Sequence, residues 1–348
     1  MAGIQAARTL LATFVDISDI HIGEIDKTTG DASTSAAAAR AYSNLPWLDG
    51  LLGHHGRALH ELDDFVATLR AREPEARLLV TGDLSRFGGS DELLGARAFL
   101  EGEIDLSPAL GNMAGLRLAG HIHAIPGNHD QWGGAAGPLS AWPSQYGGVF
   151  PTPLLRIDKV PLSNGRHIAF LCIDSDADIK AQSVPRLLAH GAFQSQLQSL
   201  QATIGPKPAN EFRIMLIHHS WFQRQHTLRM TAASRAALEQ FLVENEVSAM
   251  LCGHSHAPLM NDFTATGPLG TATVHELRSG SSAQHDSVPL KWKTMLQKRP
   301  ARSWDPNSLI VHRVYDDPLA VRWHAELYAR APGGFKHVKQ WNKQFALL

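Results

Sequence analysis

Apolar positions along this chain fall into short unbroken runs separated by stretches with a helical period. Thr13 to Ile20 (TFVDISDI) reads as a first buried strand. Residues 24–53, rich in Gly, Ala, Ser and Thr, follow as an excursion. From about His54 to Arg72 the period changes: Leu59, Leu62, Phe65, Val66 and Leu69 recur at three-to-four spacing, which predicts a helix with one apolar stripe. Pro74 ends it, and Arg77 to Thr81 (RLLVT) forms a second strand running into Gly82 and Asp83. Ser90 is placed to cap a helix reaching about Glu101. His121 to Pro126 is a third strand. The pattern then repeats. His167 to Ser175, Arg213 to His219 and Ser248 to Gly253 read as strands, with helices near 192–204 and 231–245, the latter carrying Leu238, Phe241 and Leu242 as its stripe. Further strand-like segments lie at about 271–279, 308–315 and 320–328. Strand and helix in alternation predict an α/β fold whose loops gather at the carboxyl ends of the strands. We read one domain over 10–330, two packed sheets flanked by helices, with 280–306 as its least regular part and 331–348 as a C-terminal tail.

Composition narrows the class without naming a function. A chain of 348 residues with 44% hydrophobic and 19% charged residues can bury a sizeable core. A net charge of -1 gives no global reason to expect a membrane surface or a nucleic-acid polymer as partner. Cys172 and Cys252 lie in apolar runs and read as buried free thiols. Met1 to Arg8 lacks the pattern of a secretory signal and no apolar stretch has the length of a membrane span, so a cytoplasmic protein is expected.

The chemistry lies at the ends of the strand-like runs. Five blocks occur in order: Asp19-Ile20-His21, Gly82-Asp83, Gly127-Asn128-His129-Asp130, His218-His219 and Gly253-His254-Ser255-His256. In a strand, residues two apart point the same way, so Asp19 and His21 aim together, as do His254 and His256. Asp16, three before Asp19, faces the other side and reads as structural. Carboxylate, amide oxygen and imidazole suit divalent metals such as Mn, Fe or Zn. Asp83, on a tight turn after a glycine, can bridge two cations. Glycines at 82, 127 and 253 fit loops where backbone approaches the site closely. His218 and His219 are adjacent and point apart; His218 is preferred as the ligand, leaving His219 to meet substrate or support the site.

This ordered set resembles the calcineurin-like metallophosphoesterase superfamily, whose pattern is Asp-x-His, Gly-Asp, Gly-Asn-His-Asp/Glu, His and Gly-His-x-His. The resemblance implies a four-layer αββα sandwich of two mixed sheets. It implies one metal held by Asp19, His21, Asp83 and His256, and a second held by Asp83, Asn128, His218 and His254. His129 matches the family histidine that approaches the phosphate and leaving group, and Asp130 the carboxylate that orients it. Asn128, His129, His219 and Arg86 are candidate substrate contacts. The stretch Gly82 to Gly88 departs from the protein serine/threonine phosphatase pattern, and the sequence is more similar to the bacterial branch containing class III cyclic-nucleotide and glycerophosphodiester phosphodiesterases. The resemblance thus implies a hydrolase of a small phosphoester, its two cations sitting roughly 3.5–4 Å apart and activating a bridging hydroxide. A phosphomonoesterase and a non-catalytic metal-binding scaffold are the alternative readings. The segments 24–53 and 280–306 are the expected seat of substrate choice.

Overall fold

The computed structural model describes residues 9–33, 53–134, 136–224, 226–284, 307–317 and 320–346. Most of the 24–53 excursion and of the 280–306 segment lies outside them. The elements in chain order are β1 (Leu10–Ile17), α1 (Gly56–Arg70), β2 (Arg77–Val80), α2 (Ser90–Glu101), β3 (Ile104–Asp105), β4 (Met113–Ala114), β5 (Ile122–Ala124), α3 (Tyr146–Val149), β6 (Arg156–Pro161), β7 (His167–Cys172), α4 (Val184–Leu187), α5 (Gln194–Thr203), β8 (Glu211–Leu216), α6 (Ala232–Glu244), β9 (Val247–Cys252), β10 (Leu259–Gly267), β11 (Gly270–Arg278), β12 (Ser308–Asp317), β13 (Ala320–Ala331) and β14 (Gly334–Ala346).

Helix α1 buries Leu59, Leu62, Val66 and Leu69 of the expected stripe and leaves Phe65 half-buried, and His55 caps it by accepting from the Arg57 amide at 3.2 Å. Helix α2 begins one residue earlier than a Ser90 cap implies. Gly89 takes the extended cap conformation, Ser90 is the first helical residue, and Asp91 and Glu92 face the positive end of the helix dipole.

Two six-stranded sheets result, in the orders β14-β13-β12-β1-β2-β5 and β10-β11-β9-β8-β7-β6. In the first, β1, β2 and β5 are parallel; in the second, β7, β8, β9 and β11 are parallel. Antiparallel strands complete both, so each sheet is mixed. Buried Phe14, Leu79, Ile310 and Trp323 of one sheet meet Phe170, Ile214 and Leu251 of the other. Helices α1 and α2 cover the outer face of the first sheet, while α5 and α6 cover that of the second. This is the α/β arrangement of two packed sheets flanked by helices. Phe14 ties the layers, meeting Phe170 edge-on at 5.2 Å and stacking on Trp323 at 6.2 Å. Truncating it to Ala would cost about 3–5 kcal/mol.

Three differences from the sequence reading have physical causes. Strand β1 ends at Ile17 rather than Ile20, because Asp19 and His21 both take positive φ. Strands β6 and β10 carry mixed polar patterns that hide their period. The expected tail from 331 instead contains β14, paired antiparallel with β13. Its Lys336, Lys339 and Lys343 dilute the apolar signal, and lysines suit a strand at a sheet edge.

Candidate metal centre

The parallel strands of both sheets end on one side of the molecule, and the five sequence blocks lie in the loops that follow them. The loop after β1 runs beside the loop after β2: the Asp19 amide donates to the Gly82 carbonyl and the His21 amide to the Asp83 carbonyl, both at 3.0 Å. Asp19, His21, Asp83, His254 and His256 all adopt left-handed backbone, with φ between 49° and 73°. The paired residues therefore converge through alternating backbone twists in loops, not through the pleat of a strand. Such residues cost about 1–2 kcal/mol each and persist where surrounding bonds hold them. Gly82 (φ +102°) admits no side chain, since a Cβ there would lie 2.5 Å from His218 Nδ1. At Gly253 a Cβ would lie 1.8 Å from Ser18 Oγ.

Donor atoms gather in two groups that share Asp83: Asp19, His21, Asp83 and His256 in one, Asp83, His218 and His254 in the other. In the first, His21 Nε2 faces His256 Nε2 at 3.3 Å, and His256 Nε2 lies 3.3 Å from Asp19 Oδ1. In the second, His218 Nε2 lies 3.2 Å from Asp83 Oδ2, 3.1 Å from His254 Nδ1 and 3.3 Å from Asn128 Oδ1. These residues are buried except for His256, which is partly exposed.

Backbone carbonyls fix which nitrogen faces inward in three of the rings. His218 Nδ1–H donates to the Thr81 carbonyl at 2.7 Å, leaving Nε2 for the centre. His254 Nε2–H donates to the Ala189 carbonyl at 3.2 Å, leaving Nδ1. His129 Nδ1–H donates to the Arg86 carbonyl at 2.8 Å and turns Nε2 inward, 3.9 Å from Asp83 Oδ2. Trp132 packs against the His129 ring, their centroids 3.8 Å apart and the planes tilted by 32°. Locking the outer nitrogen to a carbonyl is how metal-binding histidines are commonly oriented. These carbonyls were not legible in the sequence, because any residue type supplies one.

Burial holds His21, His129 and His254 below the ordinary histidine pKa. Burial also opposes charge on His218, yet the Asp83 carboxylate outweighs it and pushes the ring up to about 10. Asp83 in turn stays well below the usual carboxylate range despite burial, held there by His218 and His129. Inward-facing lone pairs thus crowd around a carboxylate, with Asp19 Oδ1 buried and without a hydrogen bond. That donor chemistry fits divalent cations, which would replace the shared proton.

Three candidate site residues have other duties. The Asp130 carboxylate makes no hydrogen bond to His129. It accepts from the amides of Leu84 (3.1 Å), Ser85 (2.8 Å) and Gly127 (2.9 Å) and from the Ser85 hydroxyl (2.7 Å), bracing two of the donor-bearing loops against each other. The Arg86 side chain is nearly buried. It donates to the Ser33 carbonyl at 2.6 Å and pairs with Glu92 at 3.4 Å. His219 is fully buried, accepts from Ser175 Oγ on Nδ1 (2.8 Å) and donates from Nε2 to the Ala189 carbonyl (3.3 Å). Its ring packs on His254 at 4.0 Å, so it backs that donor. A cleft opens onto the centre between Asp83, Asn128, His129, Ala189, Leu228, His254, Ser255 and His256. Ala189 and Leu228 were not anticipated; both carry positive φ, which sequence does not announce for such residues. No helix among the described residues is long and apolar enough to cross a membrane.

Solved structures similar to this chain include the calcineurin-like phosphoesterase YfkN from Bacillus subtilis, at 12% identity over 97% of this chain and 91% of that one, with a TM-score of 0.37. Vps29 from Chaetomium thermophilum matches at 9% identity over 99% and 100%, TM-score 0.31. A phosphatase from Mycoplasma pneumoniae matches at 10% identity over 98% and 95%, TM-score 0.35. No curated protein matches the sequence significantly. The sequence profile of the calcineurin-like phosphoesterases matches residues 12–258, a span that holds every donor gathered at the centre. The chain therefore belongs to the calcineurin-like phosphoesterase family, hydrolases acting on phosphoric ester bonds.

Proposed function

We propose that this chain is a binuclear metal-dependent phosphodiesterase acting on a small phosphoester. One ion would be held by Asp19, His21, Asp83 and His256, the other by Asp83, Asn128, His218 and His254. The observation that carries the reading is the pair of donor groups sharing Asp83, with His129 Nε2 turned toward the same cleft. When bound, two such cations supply Lewis-acid stabilisation of phosphate charge and lower the pKa of a water held between them.

The chain's own residues do the rest. Asp83, fixed by the His129 amide at 2.9 Å, holds the two donor groups at one spacing. The Arg86 carbonyl keeps the His129 proton on Nδ1, so Nε2 meets the substrate. Burial keeps the ring neutral before substrate arrives, and a phosphate anion beside Nε2 favours the imidazolium. Hydrolysis joins a water oxygen to phosphorus, that water releasing a proton to solvent, and breaks the bond to the leaving oxygen, which takes its proton from Nε2 of the His129 imidazolium, a proton the ring has drawn from solvent. Asn128 and His129 flank the cleft where that oxygen departs.

Turnover of bis-p-nitrophenyl phosphate, p-nitrophenyl phosphate and cyclic nucleotides after loading with Mn, Fe or Zn tests this reading. A higher kcat/KM for the diesters supports it. Preference for the monoester makes the chain a phosphatase, and metal binding without turnover of any substrate makes it a scaffold.

A further inference from the structure

The cleft over the donors is lined by polar side chains except at Leu228 and Ala189. Both hold left-handed backbone, Leu228 at φ 63° and Ala189 at φ 49°. A bulky side chain is a poor occupant of that region, which Asn and Gly take more readily. Core packing does not account for the leucine, because Leu228 belongs to none of the apolar clusters that fill the molecule. Strain of this kind persists where neighbouring bonds impose it, and it collects at functional sites.

The bonds that impose it are identifiable. The Leu228 amide donates to the Leu188 carbonyl at 2.9 Å, the Gly191 amide to the Arg229 carbonyl at 3.0 Å and the Thr231 amide to the Gly191 carbonyl at 2.8 Å. Residues 188–191 and 228–231 therefore run side by side, and His190 Nε2–H closes the pair by donating to the His226 carbonyl at 2.6 Å. The Ala189 carbonyl in turn accepts from His254 Nε2 at 3.2 Å and from His219 Nε2 at 3.3 Å. Leu228 is thus held in a fixed relation to a donor ring of the centre.

This wall offers a phosphate oxygen no N–H to bond. Both side chains are carbon alone, the Leu228 amide is engaged with Leu188, and the Ala189 amide donates to the Arg186 carbonyl at 3.1 Å. Arg229, the next residue, is exposed and does not line the cleft. A phosphomonoester has three non-bridging oxygens, each of which needs a donor or a cation. A diester has two, and a carbon-bearing group takes the remaining position. An uncharged wall suits that group and would leave a third oxygen unpaired, the mismatch against which sites discriminate strongly. The ester group retained on phosphorus is the one it would meet, since Asn128 and His129, from the loop after β5, flank the departing oxygen.

We propose that Leu228 is a specificity-determining residue: with Ala189 it receives the ester group that stays on phosphorus, and it favours an apolar, aryl-sized group there over a methyl group or a free oxygen. This rests on the phosphodiesterase reading above. Three substrates that release the same p-nitrophenolate test it: phenyl p-nitrophenyl phosphate, methyl p-nitrophenyl phosphate and p-nitrophenyl phosphate, turned over by metal-loaded protein of measured metal content. Leu228→Asn suits the left-handed backbone and makes the wall polar; it should lower the phenyl-to-methyl ratio of kcat/KM about 10-fold, with metal content unchanged. Leu228→Gly, which also suits that backbone and removes the wall, should lower the ratio similarly. Comparing ratios between variants cancels the intrinsic reactivity of each ester. The wild-type ratio in both variants would overturn the inference, and should one of them not fold, the wild-type ratio in the other would overturn it. A wild-type protein faster on the monoester than on either diester would instead defeat the phosphodiesterase reading, and the phenyl-to-methyl ratio would still decide the role of Leu228.

Discussion

At the scale of single residues, His129 and Asp130 separate chemistry from architecture although they are neighbours. Replacing His129 by Ala should leave metal content intact and lower turnover by about 10²–10⁴-fold, less for esters with good leaving groups. Steady-state kinetics across a leaving-group series checks this; an equal loss for every leaving group would assign His129 to phosphate binding alone. Asp130→Ala should behave differently. It strands three buried amides and a hydroxyl, so thermal unfolding should show a loss of about 3 kcal/mol. Unchanged stability with an altered leaving-group dependence would return Asp130 to an orienting role. The donors of the centre were legible as residue types in order along the chain. The carbonyls of Thr81, Arg86 and Ala189 that aim the rings were not, since a carbonyl leaves no mark in sequence. Arg86 and His219 were read by type and adjacency, and only their buried partners show where they point.

At the scale of elements, most strands and helices followed from apolar period, with ends shifted by a few residues. The convergence of Asp19 with His21 was expected from an extended strand and arises instead from left-handed loop backbone. Alternation in sequence cannot separate these cases, because both put residues two apart on one side. Strand β8 offers a pH test away from the site. Glu211 at its start accepts from Arg213 at 2.7 Å, faces Lys159 at 3.0 Å and His167 at 2.8 Å, and so links β6, β7 and β8. Burial opposes its charge, but these partners outweigh it and hold its pKa down to about 2, against 4.5 when unfolded. A depressed carboxylate pKa stabilises the fold above the unfolded value and loses that contribution as pH falls from about 4.5 toward 2. Urea midpoints measured across that window should fall, and Glu211→Gln should flatten the fall. An unchanged slope in the variant would contradict the assignment.

At the scale of the whole molecule, two sheets close over one core and present their loops on a common side, so a single centre draws donor side chains from both. The sandwich was legible because parallel strands buried on both faces read as continuous apolar runs. Its edge at β14 was not, because lysines that protect an edge mask its period. Substrate choice is proposed to lie in 24–53 and 280–306, and the described roots of both meet: the Ala32 amide donates to the His54 carbonyl at 3.0 Å, and the His55 amide to the Ala283 carbonyl at 2.7 Å. Gly53 lies beside the His21 carbonyl, which brings that junction next to a metal donor. Shortening either segment should change the ratio of diester to monoester turnover while metal content holds; an unchanged ratio in both folded variants would reject the proposal. Every role proposed for the site depends on how many ions the centre takes. Elemental analysis of metal-loaded protein, with anomalous scattering from its crystals, should find two ions per chain, one among Asp19, His21, Asp83 and His256 and one among Asp83, Asn128, His218 and His254. A single ion, with Asn128 and His218 left unligated, would contradict it.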